Sequence, residues 1–255
     1  MLGAIIGDIV GSVYEFNNHR AKTFDPFFHA RAFYTDDTVC TIAVADALIN
    51  KRPPAEALKD WGRRYWHNGG WGGMFGEWLQ SDDASPYGSF GNGAAMRISP
   101  AGLLAETVEQ VTALSQAATE VTHNHPEGLK GAEATALAIF LARQRLAPAE
   151  IRSTITERFG YDLDRTVDDI RPTYRFNETC QQTVPQALVC ALTATDFEDA
   201  IRNAISIGGD SDTVAAIAGG VAEALFGIPD RIAERGWGYL PADMRAVLER
   251  LYRQG

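Results

Sequence analysis

Gly208-Gly209-Asp210-Ser211-Asp212-Thr213, running into the apolar stretch 214–226, decides how this chain is read. A glycine pair turns the backbone, two carboxylates and two hydroxyls follow, and after them only Glu223 interrupts the apolar run. A helix without a polar face is buried on all sides. Asp210 and Asp212 therefore stand at the mouth of a core helix, where carboxylates are costly unless something neutralises them. A helix N-terminus favours anions by about 1 kcal/mol, too little to hold two clustered buried charges.

The chain carries a second copy of this device. Thr35-Asp36-Asp37-Thr38 opens the apolar run 39–49, broken only by Thr41 and Asp46. If the two mouths face each other, four carboxylates converge, and like charges that close need a counter-charge. Every candidate ligand is a carboxylate or hydroxyl oxygen, the donor set of a hard divalent cation, and two magnesium-like ions would balance four carboxylates. The plainer alternative is that each cluster only caps its helix, as Ser, Thr and Asp commonly do. Two acids in each cluster, where one cap suffices, favour the metal reading.

At these residues the sequence resembles the ADP-ribosylglycohydrolase family, which includes the dinitrogenase-reductase-activating glycohydrolase. TDDT (35–38) and GGDSDT (208–213) match its two metal-binding signatures. Further matches, in family order, are Gly7-Asp8 through Glu15, Gly91-Asn92-Gly93-Ala94-Ala95-Met96-Arg97, Thr122-His123 with His125, and Thr183-Val184-Pro185-Gln186-Ala187-Leu188. The resemblance covers residues 3–230 and implies an all-α fold: one domain over 1–255, an orthogonal helical bundle with a dinuclear metal cleft. It implies two Mg²⁺, with Mn²⁺ able to substitute, held by Thr35, Asp36, Asp37, Asp210, Asp212 and Thr213. It puts Gly91, Asn92, Gly93, Ala94, Ala95 and Met96 along the ADP-ribose pocket, makes His125 face the substrate with His123 supporting its loop, and sets Glu15 beside the metals.

Composition bounds the alternatives. The chain has 255 residues, 45% hydrophobic and 22% charged, ordinary for a globular protein with a large core. A net charge of −10 argues against an extended nucleic-acid surface, which needs clustered Lys and Arg. Cys40, Cys180 and Cys190 have no metal-type spacing, and the expected compartment is a reducing cytoplasm. The apolar N-terminus lacks a basic leader and contains Asp8, so it does not read as a signal peptide, and no stretch reaches the length of a membrane span. A monomer is expected.

Along the chain, residues 2–14 form a glycine-spaced apolar segment, expected to be a buried helix packed through Gly3, Gly7 and Gly11. It lacks the G-x-G-x-x-G pattern of a dinucleotide site. Residues 17–34 read as a substrate-facing loop and 53–67 as an amphipathic helix. Eight glycines and several aromatics between His67 and Ala94 predict a long shaped loop without a helix, whose small residues let backbone N–H groups approach a ligand. Helices are expected over 100–105, 108–121, 129–146 and 148–159, an irregular excursion over 160–180, and a helix resuming at Thr183 with Pro185 in its first turn. Asp196 and Asp199 cap a helix over 197–207 that Gly208 ends, and a terminal helix spans 241–253.

The chemistry the resemblance implies is hydrolysis of the bond between ADP-ribose and an acceptor. That bond breaks through an oxocarbenium-like ribose, and metals can fix the ribose hydroxyls and activate water. Asp36, Asp212 and Glu15 are the expected catalytic carboxylates, with Glu15 the first candidate for general acid–base work. The expected partner is an ADP-ribosylated protein or small molecule, and an acidic rim makes ADP-ribosyl-arginine the first choice of substrate. Two other readings stay open at this point: a non-catalytic ADP-ribose-binding or shielding protein, and a magnesium-dependent phosphohydrolase cutting the diphosphate.

Overall fold

The computed structural model describes residues 1–254. Its helices are, in chain order, α1 (Leu2–Gly11), α2 (Asp36–Asn50), α3 (Pro54–Arg64), α4 (Gly73–Gln80), α5 (Gly93–Met96), α6 (Ser99–Leu104), α7 (Val108–Thr119) and α8 (Pro126–Arg143). After them come α9 (Pro148–Phe159), α10 (Val167–Ile170), α11 (Cys180–Leu192), α12 (Phe197–Ile207), α13 (Ser211–Phe226), α14 (Asp230–Gly238) and α15 (Ala242–Tyr252). Among the described residues there is no strand, only an isolated antiparallel bridge between Gly91 and Thr179. The fold is all-α, as expected. No described helix is long and apolar enough to cross a membrane.

Two helices form the axis. Gly3, Gly7 and Gly11 recur every fourth residue and so share one face of α1. That face lies directly on α13: a Cβ built on Gly7 would fall 2.0 Å from the Ala215 carbonyl oxygen, and one on Gly11 2.4 Å from the Asp212 Cα. Only hydrogen fits between these backbones. The close approach brings the C-terminal end of α1 beside the N-terminal mouth of α13. Both helices are buried almost throughout, and α2, α8, α11 and α12 surround them in one apolar core. Glu223, the one acid of α13 beyond its first turn, accepts the Gly3 N–H at 2.7 Å and the Tyr252 hydroxyl.

Three elements depart from the sequence reading. Gly73–Gln80 is a helix despite its glycines, because Phe75, Trp78 and Leu79 present a buried stripe. Cations also collect its last carbonyls: Lys59 Nζ donates to Trp78 O at 2.8 Å and Arg63 Nε to Leu79 O at 2.7 Å. Burial and capping outweigh weak propensity here. Pro185 lies inside α11, because the helix begins earlier, at Cys180, whose N–H donates to Phe90 O across the cleft wall. The third is α14, a short amphipathic helix that buries Ile232 and Gly236, with Gly236 packed on Ile6.

Candidate metal and substrate site

Asp8 organises the first aspartate cluster from behind. It is fully buried, at the end of α1 that faces α2. One carboxylate oxygen accepts Thr35 Oγ1 at 2.7 Å; the other accepts Thr35 N at 2.9 Å, Thr38 N at 3.1 Å and Thr38 Oγ1 at 2.5 Å. Two of these donors are backbone N–H groups at the α2 N-terminus, and Thr35 Oγ1 in turn accepts a third, that of Asp37. With its first turn fastened to Asp8, α2 leaves the Asp36 and Asp37 side chains facing the cleft.

The second cluster is set by two glycines and two clamps. Gly208 and Gly209 have φ of +68° and +80°, conformations that L-residues rarely adopt. The Asn18 amide pairs with Gly209 as another peptide would: Nδ2 donates to Gly209 O at 2.9 Å while Oδ1 accepts Gly209 N at 2.8 Å. The same Nδ2 reaches Tyr14 O and Glu15 O at 2.8 and 2.9 Å, which ties the Glu15 segment to the α13 loop. Arg20 joins three carbonyls, those of Arg171, Tyr174 and Ile207, at 2.7–3.0 Å. Tyr174 lies so close beneath Gly209 that an added Cβ would meet its ring at 2.4 Å.

The result is one cleft of 370 Å³ into which Glu15, Asp36, Asp37, Asp210, Asp212 and Thr213 all open. The two clusters touch directly: Thr213 Oγ1 donates to the Asp37 carboxylate at 3.3 Å. Oxygens of Glu15, Asp210 and Asp212 lie within 4.8 Å of one another. Burial first, then mutual repulsion, lifts these acids above the usual carboxylate range. Glu15 is pushed up to about 7 by burial and by Asp210, Asp36 and Asp8; Asp36 to about 7 by burial and Asp8. Asp37 and Asp212 lie well above their ordinary values for the same reasons, and Asp8 is raised to about 6 by burial against the pull of its four donors. One buried Asp37 oxygen has no protein partner. An acid cluster this strained, all oxygen and with an orphaned acceptor, fits divalent cations. The residues placed to hold them are Asp36, Asp37, Asp210, Asp212 and Thr213, with Glu15 in reach. Thr35 lies one layer back, its hydroxyl engaged with Asp8. Ser211 turns away, toward the carbonyls of Tyr14 and Gly209.

The glycine-rich stretch forms the opposite wall. Gly91, Asn92, Gly93 and Met96 line the cleft, whereas Ala94 and Ala95 are buried behind them. Asn92 Nδ2 donates to Asp210 at 2.6 Å, which fixes this wall to the 208–213 loop. Of the two histidines, His123 lines the cleft; His125 caps α8 by accepting the Glu127 N–H and packs its ring against Phe90. This reverses the expectation from the family resemblance, which set His125 toward the substrate and His123 behind it: the Thr122 contact turns His123 inward, and the α8 cap holds His125 outside the cleft lining. Arg97, 1% exposed, donates to Thr122 Oγ1 at 2.7 Å, and that oxygen lies 2.8 Å from His123 Nδ1. Arginine can only donate, so the threonine proton is free for Nδ1, and this pairing assigns the imidazole proton to Nε2. Nε2 faces the cradle, 3.3 Å from a Cβ built on Gly93. Burial and then Arg97 hold His123 well below its ordinary value, so it is a neutral donor. Tyr87, Ser89, Phe90, Glu178 and Thr179 also line the cleft, from stretches with no motif of their own.

An acidic pair of helix mouths, facing a glycine cradle within an all-helical fold, makes a cleft whose chemistry fits divalent cations. The chain belongs to the ADP-ribosylglycohydrolase family, whose sequence profile matches residues 1–254, and it is accordingly a glycohydrolase enzyme. It is similar to the mouse ADP-ribosylhydrolase ARH3, 25% identical with 100% of this chain and 91% of that protein covered. It is also similar to the ADP-ribosylarginine hydrolase Tri1 of Pseudomonas putida, 28% identical over 93% of this chain and 73% of that protein. Among solved structures, one described as an ADP-ribosylglycohydrolase-related protein complex superposes with a TM-score of 0.71 at 26% identity, covering 99% of this chain and 96% of its own.

Proposed function

We propose that the protein is a magnesium-dependent hydrolase that cleaves the glycosidic bond between ADP-ribose and an acceptor, with ADP-ribosyl-arginine on protein as the first substrate. The observation that carries this reading is the meeting of both aspartate clusters with Glu15 in a single cleft. Two Mg²⁺, replaceable by Mn²⁺, would be held by Asp36, Asp37, Asp210, Asp212 and Thr213, with Thr35 contributing from behind. When bound, the ions supply Lewis acidity at the ribose hydroxyls and lower the pKa of water.

The side chains do the rest. Glu15, poised near neutrality and only half buried, takes or gives a proton as the bond to the acceptor breaks. The carboxylates around it favour the positive charge that develops on the ribose. Gly91 and Gly93 let the backbone approach the diphosphate, and the His123 Nε2–H adds a neutral donor there. The faces of Tyr87 and Phe90 suit a purine. Glu178 adds to the acids at the mouth and, with Glu15 and Asp36, favours a guanidinium leaving group. The similarity to an ADP-ribosylarginine hydrolase supports the same choice.

A panel of defined substrates, joined through arginine, serine, an O-acetyl group and a second ADP-ribose, tests this with Mg²⁺ and product analysis. Fastest release of ADP-ribose from the arginine substrate is expected. AMP as product would mean diphosphate cleavage, tight binding without turnover a reader, and preference for another acceptor would overturn the arginine assignment.

A further inference from the structure

A second cavity, of 250 Å³, lies against the catalytic cleft. One segment serves both: Tyr174, Arg175, Phe176 and Asn177 line the second cavity, while Glu178 and Thr179 line the cleft. Its other walls are Arg165, Thr173 and two side chains of α11, Gln182 and Gln186. Gln186 belongs to the 183–188 motif yet faces away from the cleft, so the catalytic chemistry leaves it unused.

The chemistry of this cavity is one-sided. It holds two guanidinium groups and three primary amides, and no carboxylate lines it. That is notable in a chain with a net charge of −10. Neither Arg165 nor Arg175 forms an ion pair among the described residues. Gln186 is 8% exposed. Its Oε1 accepts Arg165 Nη1 at 3.4 Å, a long bond that orients the amide. That leaves the Gln186 Nε2 donors unpaired among the described residues and open to the cavity. Converging N–H donors with a planar guanidinium among them match the oxygens of a carboxylate or phosphate.

We propose that this cavity is a binding site for a small oxyanion, a phosphate or carboxylate group, gripped by Arg165 and Arg175 with the amides of Gln182 and Gln186. Its position gives it a route to the catalytic cleft. Tyr174 forms its wall and packs under Gly209 of the metal loop. Phe176 stacks on Phe16, next to Glu15, with ring centroids 6.1 Å apart. The anion can come from solution or from the acceptor, as a phosphate or acidic group carried near the ADP-ribosylated residue.

Calorimetric titration of inorganic phosphate into the full chain with Mg²⁺, at constant ionic strength, tests the site. One saturable site is expected in the wild type, weakened at least tenfold in Arg165→Met and in Gln186→Leu, both still folded by circular dichroism. No saturable binding, or equal affinity in wild type and variants, overturns the proposal; the second result would put phosphate in the catalytic cleft instead. Hydrolysis of paired ADP-ribosyl-arginine peptides, with and without a nearby phosphoserine, separates the two sources. A KM raised by Arg165→Met only for the phosphorylated peptide assigns the anion to the acceptor; equal KM changes assign it to solution. This second arm rests on the proposed arginine activity. A chain that turns over neither peptide fails that activity and leaves the calorimetric result to decide the site.

Discussion

Gly7→Ala probes the packing that brings the two aspartate clusters together. The added Cβ would sit 2.0 Å from Ala215 O and 2.3 Å from Ala215 C, against the 3.4 Å at which ordinary contact begins, a shortfall of 1.4 Å. Both obstructing atoms are helix backbone, so no rotamer change relieves the clash, and α1 must move off α13. Overpacking of a core costs about 1–3 kcal/mol, and a clash against backbone belongs at the upper end. Alanine's better helix propensity returns about 1 kcal/mol. The net loss is therefore roughly 2 kcal/mol, a fall in Tm of roughly 4–8 °C for a chain of this size. Activity should fall further than stability, because the movement separates Asp8, the next residue on α1, from Asp212, one turn before Ala215 on α13. Gly220→Ala is the control on α13: its Cβ would meet Ile139 and Ser99 at 3.4 Å, ordinary contact, so stability should hold or rise by up to about 1 kcal/mol. Thermal melts by circular dichroism and Mg²⁺-dependent ADP-ribose release read both. Should Gly7→Ala melt with the wild type, or Gly220→Ala lose as much, the backbone-contact argument is wrong.

Asp212→Asn removes a charge from a crowded buried cluster; ADP-ribose release should drop by orders of magnitude while the melt of the chelated protein does not fall, and a variant of wild-type activity would remove Asp212 from the metal site. Chelated protein should also show an inverted pH response. The folded-state values of Asp8, Glu15 and Asp36, about 6 to 7, lie above their ordinary 3.8–4.5, so the folded chain holds extra protons across that window. Stability without divalent ions then increases as pH falls from about 7.5 toward 4.5, by up to about 1.4 kcal/mol per pH unit for each of the buried Asp8 and Asp36 and by less for the half-buried Glu15, which solvent screens; a melt that is flat across this range, or lower in acid, contradicts the cluster's strain. Mg²⁺ at about 100 times its Kd should add about 2.7 kcal/mol near pH 7.5. Asn18→Ala deletes the peptide-like pairing with Gly209 and should weaken Mg²⁺ binding at least tenfold, measured by titration calorimetry, for a stability loss of about 1–2 kcal/mol; unchanged affinity would make Asn18 merely a loop residue.

Much of this architecture was legible because it rests on patterns with a single physical solution. An apolar run with its acids clustered at its mouth, as at 210–226 where only Glu223 lies further along, reads as a buried helix, and two such runs locate a charged centre. The Gly3, Gly7 and Gly11 stripe announced a close helix contact, though not its partner. Where reading failed, tertiary contacts had overridden local preference. Helix α4 forms on glycine-rich sequence because Phe75, Trp78 and Leu79 are buried and because Lys59, distant in sequence, collects its carbonyls. Helix α11 starts ahead of Pro185 because Cys180 N finds Phe90 O. The orientations of His123 and His125 rest on Arg97 and on the cap of α8, and no spacing rule encodes them. Asn18 and Arg20 sit in a loop of unremarkable composition; their role exists only once residues near 171–174 and 207–209 have come alongside.

The most direct measurement is anomalous diffraction from a crystal of the protein soaked in Mn²⁺. Two peaks are predicted in the cleft, each within bonding distance of carboxylates, with ligands drawn from both Asp36–Asp37 and Asp210–Asp212. No peak at saturating Mn²⁺, or metal held by one loop alone while the other loop's aspartates point elsewhere, would contradict the account.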